Sequence, residues 1–66
     1  MRYGYIGLGD MGSAMAGHLL STGATVTVFD LNPATVERAV RQGATAATTA
    51  AEVATSSDVF IVCVPA

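Results

Sequence analysis

The sequence predicts an α/β fold in which parallel strands alternate with helices, in the order β-α-β-α-β-α-β. Three observations carry that expectation. A short apolar run enters Gly7-Leu8-Gly9-Asp10-Met11-Gly12, and a helical pattern opens directly behind it. Gly23 and Gly43 each stand just past a helix-like stretch, where glycine commonly ends helices. The run Val59-Phe60-Ile61-Val62-Cys63-Val64 is apolar without interruption, as strands are when helices cover both faces of their sheet. Strands separated by helices pair in parallel through right-handed crossovers, so residues 1–66 read as part of a doubly wound sheet.

The first strand and helix enclose the most informative motif. Tyr5-Ile6-Gly7-Leu8-Gly9-Asp10-Met11-Gly12 places G-x-G-x-x-G between a strand and a helix, the context that the Rossmann dinucleotide-binding fingerprint requires. Gly7 allows the tight turn, Gly9 leaves room for a pyrophosphate against the backbone, and Gly12 lets the helix lie close to the strand. The N–H groups of the first helical turn, with the helix dipole, then form an anion site that needs no lysine. Asp10 beside a diphosphate looks repulsive. A carboxylate at a helix N-terminus is nonetheless favourable by roughly 0.3–1 kcal/mol, so its side chain is expected to face solvent while its N–H binds.

The helix is expected over residues 10–22, with Met11, Ala14, Met15, His18, Leu19 and Thr22 on the sheet-facing side. Residues 24–30 are rich in β-branched side chains and read as the second strand. Asn32 and Pro33 then suit the N-cap and first position of a second helix, whose buried stripe is Val36, Ala39 and Val40 and whose solvent face carries Arg38 and Arg41. Residues 44–47 form a short strand candidate. Thr49-Ala50-Ala51-Glu52 fits a capping box and starts a third helix that ends near Thr55 or Ser56.

Composition narrows the function classes. The chain is 52% hydrophobic and 12% charged, the balance of a well-buried globular piece rather than of disorder. A net charge of −2 leaves no basic stripe for nucleic acid. No run approaches the ~18 apolar residues of a membrane span, and Asp10 with the early glycines interrupts any would-be signal peptide. The single Cys63 lies in an apolar strand and is expected to be an inert buried thiol in a reducing, cytoplasmic setting. No set of residues has metal-ligand spacing. His18, the only histidine, is expected to pack or hydrogen-bond rather than catalyse, and Met15 to fill the helix core.

Asp30 is the candidate selector of cofactor. It closes the second strand, near the ~20-residue offset from the glycine motif at which an acidic group meets the adenosine ribose. Accepting hydrogen bonds from ribose hydroxyls favours NAD. A 2′-phosphate would instead face a like charge, about 4 kcal/mol at ~4 Å and an effective dielectric of ~20. Even a third of that is about tenfold in affinity, so NADP is the less favoured form. The alternative role is structural, with Asp30 starting a turn with Asn32 and Pro33.

Further residues extend the pattern. Ile6-Gly7-Leu8-Gly9-Asp10-Met11-Gly12-Ser13-Ala14-Met15-Ala16-Gly17-His18-Leu19-Leu20 resembles the N-terminal signature of the β-hydroxyacid dehydrogenases, the family of 3-hydroxyisobutyrate dehydrogenase and tartronate semialdehyde reductase. The likeness continues through Phe29-Asp30-Leu31-Asn32-Pro33, Gly43-Ala44, Ala51-Glu52-Val53-Ala54 and Asp58 to Val64-Pro65. Ser13-Ala14, His18 and Ser21-Thr22 depart from the commonest pattern without touching the glycines. The resemblance implies reversible hydride transfer between a nicotinamide cofactor and a small 3-hydroxy acid. It makes Gly7, Leu8, Gly9, Asp10, Met11 and Gly12 the cofactor-binding loop, with the backbone N–H groups around Asp10 and Met11 on the pyrophosphate, and places Asp30 on the ribose, Leu31 and Asn32 along the adenosine edge, and Val64 and Pro65 beside the cofactor past the fourth strand.

The family's substrate-holding Ser-Gly-Gly segment and catalytic lysine lie downstream of such a segment, so no catalytic residue is assigned here. The 66 residues are expected to open a longer, homo-oligomeric enzyme whose substrate domain lies elsewhere. An apolar fourth strand on an open edge invites association, so the chain expressed alone is expected to be insoluble, oligomeric or only partly folded. Imine reductases and 6-phosphogluconate dehydrogenases begin similarly, and a noncatalytic dinucleotide-binding module is the alternative of a different class.

Overall fold

Seven elements alternate along the chain: β1 (Arg2–Ile6), α1 (Gly9–Ser21), β2 (Thr25–Phe29), α2 (Pro33–Arg41), β3 (Thr45–Ala46), α3 (Ala50–Ser56) and β4 (Val59–Val62). The computed structural model describes residues 1–7 and 9–62, with residues 9–11 described by their backbone alone. The strands form one parallel sheet of order β3-β2-β1-β4. This is the Rossmann-type arrangement that the alternation of strands and helices predicts.

Register decides which residues share a face. Tyr3 and Tyr5 lie opposite Val26 and Val28 of β2 on one side, and opposite Val59 and Ile61 of β4 on the other. Successive strand residues point to opposite faces, so these form one layer and Gly4, with its neighbours Thr27 and Phe60, belongs to the other. The first layer packs under α1 and α2: Tyr5, Ala16, Val26, Val28, Ala39 and Ala44 form the buried cluster, with Leu19, Leu20 and Val36 against it. The second layer meets α3, whose Val53 is fully buried. Gly4 is what lets α3 come so close. A Cβ there would stand 2.3 Å from Ser57 Oγ and 2.6 Å from Val53 Cγ1.

The helix boundaries follow local chemistry. Asn32 caps α2 by accepting from the Ala34 N–H, and Pro33 takes the first turn, where its missing donor costs nothing. Both α1 and α2 close in Schellman motifs: Gly23 and Gly43, at φ of 87° and 112°, donate to Leu20 and Val40, while Ala24 and Ala44 donate to Leu19 and Ala39. Thr49 caps α3 through the Glu52 N–H. Glu52 reaches back to the Thr48 N–H and hydroxyl, one residue before the partner of a standard capping box.

Three elements differ from what the sequence predicts. The buried stripe of α1 is Gly12, Ala16, Leu19 and Leu20, whereas Ala14, Met15, His18 and Thr22 are exposed. Gly12 and Ala16 sit where α1 lies close on the sheet, whereas Met15, 44% exposed instead of filling the core, lines an open apolar groove with Ala14, His18 and Leu19 beside Tyr3, Tyr5 and Ile61. Val40 likewise turns out of the α2 stripe. In β4, Val59, Phe60 and Val62 are exposed, not covered on both faces: among the described residues α3 is in contact with β4, and β4 is an edge strand that pairs only with β1.

Candidate functional site

Parallel strands bring their carboxyl ends to one edge of the sheet, and there the predicted residues gather. β1 ends at Ile6, and Gly7 follows at φ 76°, a conformation that side-chain-bearing residues rarely adopt. Its N–H donates to the Phe29 carbonyl at 2.8 Å, fastening the turn to the last residue of β2. Two residues later α1 begins at Gly9, so the unpaired N–H groups of its first turn open at the edge where β1 and β2 end. Gly12 is buried within α1, consistent with close helix–strand packing.

Asp30 follows β2 directly. Its Oδ1 accepts from the Asn32 N–H at 2.8 Å, and Asn32 Oδ1 accepts from the Ala34 N–H at 3.0 Å. The turn reading of Asp30 is therefore realised in the geometry, and it holds the carboxylate beside the Gly7 turn. Leu31 between them is 91% exposed, an apolar surface at the rim of the same edge. The sequence treated turn and ribose contact as alternatives for Asp30. One carboxylate oxygen in a turn is compatible with both, and the D-x-N-P spacing was the available signal.

The remaining site candidates divide plainly. Leu8, Val64 and Pro65 lie outside the described residues, as do Cys63 and the side chains of Asp10 and Met11. His18 is exposed well along α1, where it lines an apolar groove of about 440 Å³ with Tyr3, Met15 and Ile61, remote from the helix start. Among the described residues no group of three or more His, Cys, Asp or Glu could hold a metal ion, and no helix is long and apolar enough to cross a membrane. Arg38 and Arg41 are exposed, and Arg41 pairs with Glu37 one turn away.

The sheet's charge pair stands at the opposite end. Arg2 donates to Asp58 through its backbone N–H (2.9 Å) and Nη2 (3.1 Å), and Asp58 N–H returns a bond to the Arg2 carbonyl (2.9 Å). The hydrogen bond from the Arg2 side chain is the main cause holding the Asp58 carboxyl below its ordinary range, and the same bond raises the guanidinium.

A glycine turn, a helix start and an acidic strand end on one edge fit a dinucleotide: the turn keeps side chains away, the helix offers donors to phosphate, and the acid suits ribose hydroxyls. Comparison with known proteins agrees on the class. Residues 2–66 match the NAD-binding domain of 6-phosphogluconate dehydrogenase. The chain is 45% identical over 65 residues to a 2-(hydroxymethyl)glutarate dehydrogenase of Eubacterium barkeri, covering 98% of this chain and 22% of that protein. Its fold superposes on a Mycobacterium tuberculosis 3-hydroxyisobutyrate dehydrogenase with a TM-score of 0.92 at 31% identity, covering 97% of this chain and 22% of that one. It also superposes on the Myxococcus stipitatus imine reductase in complex with NADP+ (TM-score 0.91, 34% identity, 97% and 22% covered), a protein also solved as a variant with NAD+.

The chain belongs to the 6-phosphogluconate and β-hydroxyacid dehydrogenase family, as a nicotinamide-dinucleotide-binding portion. It spans about a fifth of the length of the relatives it matches.

Proposed function

We propose that this chain is the NAD+-binding portion of a cytoplasmic, homo-oligomeric oxidoreductase that transfers a hydride between nicotinamide and a small 3-hydroxy acid. Most of the support comes from Asp30: a carboxylate held by the Asn32 N–H at the end of β2, beside the Gly7 turn. That placement suits two ribose hydroxyls and opposes a 2′-phosphate. In the bound state NAD+ supplies the two-electron hydride acceptor. The chain's own part is to bind and orient it: the first-turn N–H groups of Gly9, Asp10 and Met11 meet the diphosphate, Leu31 and Asn32 flank the adenosine, and Leu8, Val64 and Pro65 complete the cleft. Substrate recognition and proton transfer fall to residues beyond those assigned here.

The likeness to a 2-(hydroxymethyl)glutarate dehydrogenase favours a hydroxy acid, and the superposition on an imine reductase keeps imine reduction as the second reading. The test is NAD(P)H formation by the full-length protein with 3-hydroxyisobutyrate, glycerate, 4-hydroxybutyrate and 6-phosphogluconate, alongside imine reduction in the reverse direction. Turnover of a 3-hydroxy acid with NAD+ preferred is expected. Turnover of imines alone, or none, overturns the substrate reading. Asp30→Asn should narrow the preference for NAD+ over NADP+ by about tenfold, the effect of removing a partly screened like charge.

A further inference from the structure

We propose that the apolar groove between α1 and β4 seats a helix from later in the same polypeptide, one that enters after the alternation of strand and helix has ended. The groove, about 440 Å³, opens on the α1 face of the sheet, lined by Ala14, Met15, His18 and Leu19 of α1 and by Tyr3 and Ile61 of the strands. Val59 shares that face with Ile61 and is 43% exposed, so the apolar surface continues along β4. Among the described residues no element covers it. α1 and α2 pack over Tyr5, Val26 and Val28, while α3 sets Val53 against Gly4 on the opposite face.

Handedness decides which later element can reach the groove. The steps from β1 to β2 to β3 run one way across the sheet and put α1 and α2 on one face; the return from β3 to β4 runs the other way and puts α3 on the other. A fifth strand beside β4 would continue in that second direction, so its right-handed crossover helix would join α3 and cover the Phe60 and Val62 side. It would leave the α1 face open. The groove therefore calls for an element from outside the alternation, and the matched relatives carry about four-fifths of their length outside the part that this chain covers. The lining sets the chemistry of the occupant: an apolar stripe for Met15, Leu19 and Ile61, and one hydrogen-bonding side chain for His18, whose imidazole needs a partner once it is covered. Occupancy of the groove is independent of the cofactor and of the substrate.

The experiment places a thiol and then a charge in the groove of the full-length protein. In Met15→Cys and Ala14→Cys, maleimide labelling of the introduced thiol, located by peptide mass spectrometry, should be at least about tenfold slower in the native protein than in guanidinium, as at a site reached only through local opening. Met15→Glu should lower Tm by about 4 °C or more, the effect of a buried unpaired charge, and leave the oligomer's mass by light scattering unchanged. Met15→Gln gives the same readouts without the charge if Met15→Glu does not fold.

Less protection than tenfold at both thiols means an open groove and overturns the proposal. A Tm unmoved by Met15→Glu does the same, since that is the behaviour of an exposed helix position. A smaller oligomer in either Met15 variant would mean that a second copy fills the groove, and overturns it as well.

Discussion

At the residue scale, glycine does two different jobs in β1 and its turn. Gly7 is needed for its φ, and Gly4 for its absent side chain: the space a Cβ would take is already filled by Ser57 and Val53 of the α3 segment. Gly4→Ala should destabilise the fold by about 1–3 kcal/mol through overpacking, seen as a lower Tm or urea midpoint. An unchanged midpoint would mean that α3 retreats freely from β1. The sequence showed the first of these roles and hid the second. G-x-G-x-x-G is a local pattern, whereas Gly4 matters only because α3, some fifty residues later, crosses behind it. Asp30 lies between these cases: its position at the strand end was legible, while the bond from Asn32 emerges only once the turn is folded.

At the element scale, strands and helix ends were legible because their signals are local. Asn32-Pro33, Thr49 with Glu52, and the two positive-φ glycines each act within one turn of the boundary they set. Which face of α1 is buried was not legible in the same way. Counting apolar side chains favours Met15 and His18, but a helix seated tightly on a sheet selects Gly12 and Ala16. The tie between β1 and β4 is also non-local, made by Arg2 and Asp58 at their amino ends. The Asp58 carboxyl is held below its ordinary value of 3.8 in the folded chain, so its contribution is present above that value and is lost as pH falls through the depressed one. Asp58→Asn should therefore shallow the loss of stability on the acid side of about pH 4, measured as urea midpoint against pH, and leave the neutral range with only a small offset, since exposed pairs contribute little. Parallel acid limbs for the two proteins would contradict this.

At the scale of the whole molecule, sheet order and layer assignment place two strand ends, one helix start and one acidic turn on a single edge, while the Arg2–Asp58 pair holds the other end. The fold class and the dinucleotide edge could be read from alternation and glycine spacing, because doubly wound sheets bind at the carboxyl ends of their strands. The exposure of Val59, Phe60 and Val62 could not, since an apolar run reads alike whether neighbours cover it or not. Everything functional in this account depends on backbone donors at the start of α1 seating a diphosphate. Titration of NADH into the full-length protein and its Gly9→Val variant, followed by nicotinamide fluorescence, tests that most directly. Binding should weaken by at least about tenfold when a branched side chain stands where the diphosphate approaches; equal affinity in the two proteins would contradict the account.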